Sequence, residues 1–264
     1  MATKLRPKVG LALGSGGARG LAHIGVIKIL KEHDIPIDII TGSSIGALVG
    51  GFYASGLSIK EIENIALSTE GRRALTILSE SHLKQRFTGR EEVTVFIEKY
   101  LGKKTFKDCS VLFAATATDL KTGEAIVINK GKLTTAIRAS ISIPLAFTPV
   151  EFENRVLADG GLTVPVPCKL AREMGAEVVI AVNLDNYYPR QTWKSDPYEI
   201  LHNSLKIMTH YLAQLCSENA DVVINIDVGD TRWFDFTHSQ NKIDVGEKAA
   251  KEVLPKLKQI LKAN

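Results

Sequence analysis

Cysteine is scarce: three among 264 residues, at Cys109, Cys168 and Cys216. They are odd in number, widely spaced and outside any C-x-x-C arrangement, which argues against a disulfide framework and against a zinc site built on cysteine pairs. Reduced structural thiols are expected, with no metal and no cofactor. Strong charge of either sign is missing too. The 33 Lys and Arg against 29 Asp and Glu leave a net +4, too mild for a nucleic-acid surface, and no nucleic-acid motif occurs. There are no repeats, no low-complexity tract and no linker-like stretch, so residues 1–264 are expected to form a single domain. The basic start, Met1 to Gly10, lacks the apolar core and small-residue cleavage site of a secretory signal, which makes a cytoplasmic location the expectation.

From Ile39 to Ile59 charge is absent altogether. That is about the 20 residues a membrane-spanning helix needs. Gly42, Gly46, Gly50, Gly51 and Gly56 interrupt the stretch, and it reads better as a buried strand, a sharp turn and a buried helix.

What is present is the composition of an ordinary globular chain, 45% hydrophobic and 23% charged. Val9 to Leu13 reads as a buried strand, Gly14 to Gly17 as a loop and Ala18 to Glu32 as a helix. Ile35 to Ile40 reads as a second strand and Ser44 to Ser55 as a small-residue helix. Such a βαβα start predicts a mostly parallel central sheet between helical layers. Further strands are expected at Val111 to Asp119 and Ala125 to Ile128, a helix at Thr134 to Ser140, and a hairpin turning at Glu153 and Asn154. Helix, strand, helix, strand and a last helix broken near Pro255 complete the expected layout.

Gly42-Ser43-Ser44-Ile45-Gly46 fits G-x-S-x-G between a predicted strand and a predicted helix, the setting in which that pattern marks a nucleophile. Glycines two before and two after the serine allow the close approach of such a corner, and the register selects Ser44 over Ser43. The following helix start favours negative charge beside it. A chance match in a glycine-rich helix start is the plain alternative.

Gly14-Ser15-Gly16-Gly17-Ala18-Arg19-Gly20 admits three readings. A dinucleotide fingerprint would need glycine where Arg19 stands, and the acidic residue due at the end of the second strand is absent. A phosphate loop fails because Leu21 and Ala22 follow Gly20. Backbone donors for an oxyanion remain, and Gly16 and Gly17 suit that task. If the first two strands pair in parallel, this loop and the Ser44 corner emerge at the same sheet edge.

Asp159 stands at a strand end before Gly160 and Gly161. A turn-forming Asp-Gly is the plain reading; a presented carboxylate is the functional one. No histidine has a supporting motif: His202 and His210 fall on a long amphipathic helix, His238 sits in a polar loop, and His23 and His33 precede the serine.

Taken in order, Gly14 to Gly20, Gly42 to Gly46 and Asp159-Gly160-Gly161 resemble the three signatures of patatin-like phospholipases. The agreement covers most of residues 8 to 185, with 186–264 in the same domain. The stretch Arg138 to Pro144 is also similar to one in bacterial members and in the catalytic domain of neuropathy target esterase. The resemblance implies a three-layer α/β/α fold with a mostly parallel sheet. It further implies a Ser44–Asp159 dyad cleaving phospholipid, lysophospholipid or other fatty-acyl esters through an acyl-enzyme, with an oxyanion hole at Gly16 and Gly17 and Arg19 in support. Where the family's loop usually has glycine, this chain has Ser15, expected to be tolerated. The alternatives weighed are a nucleotide- or phosphate-binding α/β protein and a regulatory relative without turnover.

Between residues 72 and 107, nine Lys or Arg stand against four Glu among several apolar residues. This segment is expected to form a cap in peripheral contact with a membrane, or else a helical insertion packed on the core.

Overall fold

The computed structural model of the protein describes residues 6–77, 88–144, 147–186, 197–229 and 235–263. In chain order the elements are β1 (Val9–Leu13), α1 (Ala22–Glu32), β2 (Ile39–Ser43), α2 (Ile45–Ala54), α3 (Ile59–Leu67), α4 (Thr69–Ile77) and α5 (Thr88–Leu101). Then come β3 (Leu112–Asp119), β4 (Ala125–Ile128), α6 (Leu133–Ser140), β5 (Val150–Phe152), β6 (Arg155–Asp159) and α7 (Cys168–Glu173). The remainder is β7 (Val178–Asn183), α8 (Pro197–Ser217), β8 (Val222–Asn225) and α9 (Ser239–Ala263). The strands β3-β2-β1-β7-β8 run parallel; β4 and β6 pair antiparallel with β3, and β5 pairs antiparallel with β6.

Strand periodicity divides the interior into two cores. Leu11, Leu13, Ile180 and Val182 point to the side covered by α1, α2, α6 and α9, while Ala12, Val179 and Ala181 point to the side covered by α7 and α8. Alternation along strands buried on both faces requires apolar residues at nearly every position, hence the near-continuous runs at β1 and β7. The result is the three-layer α/β/α arrangement with a mostly parallel sheet that the sequence implies.

Three expected elements differ in detail. The second strand starts at Ile39 instead of Ile35. Pro36 has no N–H to give a ladder, the Ile35 N–H caps α1 through the Leu30 carbonyl, and Asp38 binds Arg6 and the Val9 N–H through its carboxylate. The helix expected from Ala18 opens as a 3₁₀ turn, Gly17–Leu21, before α1 begins. No break occurs at Pro255: α9 passes through it, with Leu254 and Leu257 on the flanking turn buried in the core.

The hairpin turn is as expected, with Glu153 (φ 46) and Asn154 (φ 62) both left-handed, as a two-residue type I′ connection requires. The stretch without charge, Ile39 to Ile59, is β2, the corner and α2; among the described residues no helix is long and apolar enough to cross a membrane. Residues 78–87 of the expected cap lie outside the described residues. In its described part, Val93, Phe96, Ile97 and Leu101 are buried and Phe96 and Tyr100 cluster with Phe52 of α2, so these side chains pack inward.

The register around β3 places the site. Residues 112–116 of β3 pair with β2, and residues 117–119 pair with β6, while β4 takes the opposite edge over 115–118. The strands β2 and β6 therefore share one edge of β3 and run towards each other. Ser43, the end of β2, stands opposite Thr116, and Asp159, the end of β6, stands opposite Ala117. The two strand tips meet.

Candidate active site

Ser44 occupies the corner between β2 and α2 with φ 54 and ψ −123, a backbone conformation that residues with a side chain rarely adopt. The corner is held tight by its glycines. A Cβ on Gly46 would lie 2.1 Å from the Leu13 carbonyl oxygen, and one on Gly42 would lie 2.5 Å from the Cα of Ala47. Ser44 Oγ donates to Asp159 Oδ2 at 2.6 Å, and the Gly161 N–H donates to Asp159 Oδ1 at 2.8 Å. Both residues are buried. Burial pushes the Asp159 carboxyl up to about 7; the nearby Asp185 charge adds to this, and the Ser44 and Gly161 donors oppose it. Those two hydrogen bonds favour the carboxylate, but they do not make up for lost water.

The loop after β1 leaves the sheet beside this pair, because β1 and β2 are parallel neighbours. Its left-handed positions fall on Gly16 (φ 156) and Gly17 (φ 57). Ser15 is not among the left-handed residues, and its N–H donates to the Pro165 carbonyl at 2.8 Å, so a side chain is accommodated there. Among the described residues the Gly16 and Gly17 N–H groups donate no hydrogen bond. The Ser44 N–H is spent on Ser140 Oγ at 2.9 Å.

Arg19 is buried and fully engaged. Its Nη1 donates to the Leu184 carbonyl at 2.7 Å, its Nε to the Gly16 carbonyl at 3.2 Å, and its Nη2 to the Asp185 carboxylate. The guanidinium thus ties the loop after β1 to the segment after β7, across the point where strand order reverses. Replacing it with methionine leaves the Asp185 carboxylate buried without its cation. Arg19→Met should cost about 3–5 kcal/mol of folding stability. Urea unfolding checks this, with Arg19→Met/Asp185→Leu expected to recover much of the loss. An Arg19→Met protein as stable as the parent would refute the clamp.

Ser44, Asp159, Gly16, Gly17 and Arg19, all singled out from sequence, therefore converge at one edge of the sheet. Three of the histidines make other contacts. His23 is buried, its Nε2–H donates to the Gly14 carbonyl (2.8 Å), and it is pushed by burial down to about 4, so it is neutral. His210 contacts the Asp185 carbonyl and Gln214, and His238 contacts Thr237; the His202 side chain lies outside the described residues. Sequence reasoning missed Asp185 and Ser140. A carboxylate just past the end of a parallel strand was the available signal for the first; for the second there was only its place in the Arg138 to Pro144 stretch.

The sequence pattern described as Patatin-like phospholipase matches residues 11–172. An uncharacterised NTE family protein of Mycobacterium tuberculosis is 40% identical over 179 residues, 68% of this chain and 49% of its own. The lysophospholipase nte1 of Emericella nidulans is 33% identical over 179 residues, 67% of this chain but 12% of the fungal protein. The chain thus spans about half the length of the first relative and a small part of the second. Among solved structures, VipD from Legionella pneumophila superposes with a TM-score of 0.53 at 12% identity, covering 95% of this chain and 67% of VipD. The type III effector ExoU superposes with a TM-score of 0.51 at 16% identity, covering 97% of this chain and 54% of ExoU. At such identities the two structures speak for the fold, while the extent of the matched pattern and the mycobacterial identity speak for descent: the chain belongs to the patatin-like phospholipase family.

Proposed function

We propose that the protein is a serine acyl hydrolase that cleaves fatty-acyl esters of lipids with Ser44 as nucleophile and Asp159 as base. The observation that carries this reading is the 2.6 Å contact from Ser44 Oγ to Asp159 Oδ2 at a strained strand-to-helix corner. Asp159 takes the Ser44 proton as Oγ attacks the acyl carbonyl carbon, and the oxyanion forms against the Gly16 and Gly17 N–H groups. Collapse breaks the ester C–O bond, and Asp159 returns the proton to the departing alcohol. Water, deprotonated by the same carboxylate, then attacks the acyl-enzyme, releasing the fatty acid and restoring Ser44.

A lipid substrate is supported by the family and by the name lysophospholipase carried by the fungal relative. Beside the corner, Leu21, Ile45, Leu48, Phe52, Ile62 and Phe96 line a small apolar cleft. Its lining is of the apolar kind an acyl chain needs, though the cleft would have to widen to hold one. Peripheral contact with a membrane through residues 72–107 belongs to the same proposal, and with Phe96 and Tyr100 packed inward it rests on the basic residues.

Fatty-acid release from matched monoacyl phospholipid, diacyl phospholipid and neutral esters tests both parts. The parent should release fatty acid, with the monoacyl lipid preferred; no release from any class would refute the reading. On anionic vesicles, Lys103→Glu/Lys107→Glu, two exposed positions, should weaken binding by about 1 kcal/mol per charge removed, and added salt should weaken it too. Binding indifferent to both would remove the membrane role from this segment.

A further inference from the structure

We propose that Ser140 is a positioning residue for the nucleophile, acting by accepting the Ser44 N–H; this rests on the hydrolase reading above. Ser44 stands between two hydrogen-bonding regimes. The pairing of β2 with β3 ends at Ser43, and α2 begins at Ile45, so neither the ladder nor the helix offers the Ser44 N–H a partner. The residue is buried, and an unpaired amide there would favour any rotation of the corner that reached an acceptor. Ser140, the last residue of α6 and wholly buried at 0% exposure, supplies that acceptor at 2.9 Å.

The same stretch holds the other partner. Two residues beyond Ser140, the Ser142 carbonyl accepts the Asp159 N–H at 2.9 Å. Ser142 is itself fixed, its Oγ donating to the Arg138 carbonyl at 2.9 Å and accepting from Arg138 Nη1 at 3.0 Å. The Arg138 guanidinium lies over the Phe147 ring, 4.9 Å from its centroid. Ser44 and Asp159, 115 positions apart in sequence, thus hang by their backbone N–H groups from one short bracket, which sets the relation between Oγ and Oδ2. Ser142 acts through its main chain, beyond the reach of side-chain substitution. Ser140 acts through its hydroxyl, so it is the place where the bracket can be opened.

The test compares the parent with Ser140→Ala and Ser140→Thr, using p-nitrophenyl butyrate turnover and the rate of fluorophosphonate labelling, both per mole of folded protein measured by near-ultraviolet circular dichroism. In Ser140→Ala, kcat and the labelling rate should fall together by about 10- to 100-fold, the penalty of a small misplacement of a reacting group. KM and the midpoint of the pH profile should stay where they are, since neither the substrate's contacts nor the surroundings of Asp159 change. Ser140→Thr, which keeps the hydroxyl, should recover most of the loss. Parent-like kcat in folded Ser140→Ala would overturn the role, as would a loss that vanishes on normalising to folded protein, or Ser140→Thr no better than Ser140→Ala. A parent that neither hydrolyses the ester nor takes the label would instead overturn the hydrolase reading, and this role with it.

Discussion

Ser44→Ala is expected to reduce turnover of an acyl ester by at least about 10⁴-fold, since nucleophile and base work as a unit and the base alone has nothing to activate but water. The fold should survive. The side chain lost makes one hydrogen bond, to Asp159 Oδ2, and Asp159 keeps the Gly161 N–H on its other oxygen. No compensating gain in stability is expected from relief of strain, because alanine at φ 54 is as unfavourable as serine. A fluorophosphonate probe should label the parent at Ser44 and leave Ser44→Ala unmodified. Its neighbour offers a built-in control: Ser43 is wholly buried, its Oγ near the spot a Cβ on Gly160 would occupy, 2.9 Å away. Labelling at Ser43, or turnover retained in folded Ser44→Ala, would remove the corner from the mechanism.

The corner and the glycine loop were legible in the sequence because the backbone leaves no choice of residue there. A side chain at Gly46 would run into the Leu13 carbonyl, and the loop after β1 turns left-handed at Gly16 and Gly17, so geometry is written directly as glycine. The parallel start of the sheet was legible for a similar reason, since strands buried on both faces need unbroken apolar runs. The meeting of Ser44 with Asp159 was legible only as resemblance. Physically it depends on β3 pairing with β2 over one half and with β6 over the other, a fact of register that no single segment carries. Asp185 and Ser140 went unseen because each acts through a partner far away, Asp185 on Arg19 and Ser140 on the Ser44 amide, and neither residue type is unusual where it stands. Pro255 misled in the opposite direction. Its local preference predicts a break, but Leu254 and Leu257 hold the helix to the core on either side.

Asp159→Asn should lower turnover by about 10²–10⁴-fold, the usual contribution of a positioned base, because an amide cannot take the Ser44 proton. On the proposed mechanism the group that must be ionised in the parent is the one that burial pushes up to about 7. The parent's kcat/KM on a soluble ester should therefore rise with pH through a midpoint near 7, and Asp159→Asn should lack that rising limb. Stability should move the other way. The carboxyl goes from 3.8 in the unfolded chain to about 7 in the folded one, so between these values the folded protein binds the extra proton. Stability linked to this group is then fully present below about pH 4, is lost as pH climbs through the folded value, and amounts to about 4 kcal/mol at 1.36 kcal/mol per unit. Asparagine carries no charge to bury. At pH 8, Asp159→Asn should accordingly resist urea better than the parent while hydrolysing far less, and the difference in resistance should shrink as pH is lowered towards 4. Equal urea midpoints at pH 8, with full activity in the variant, would mean that Asp159 is neither ionised against the cost of burial nor used as the base.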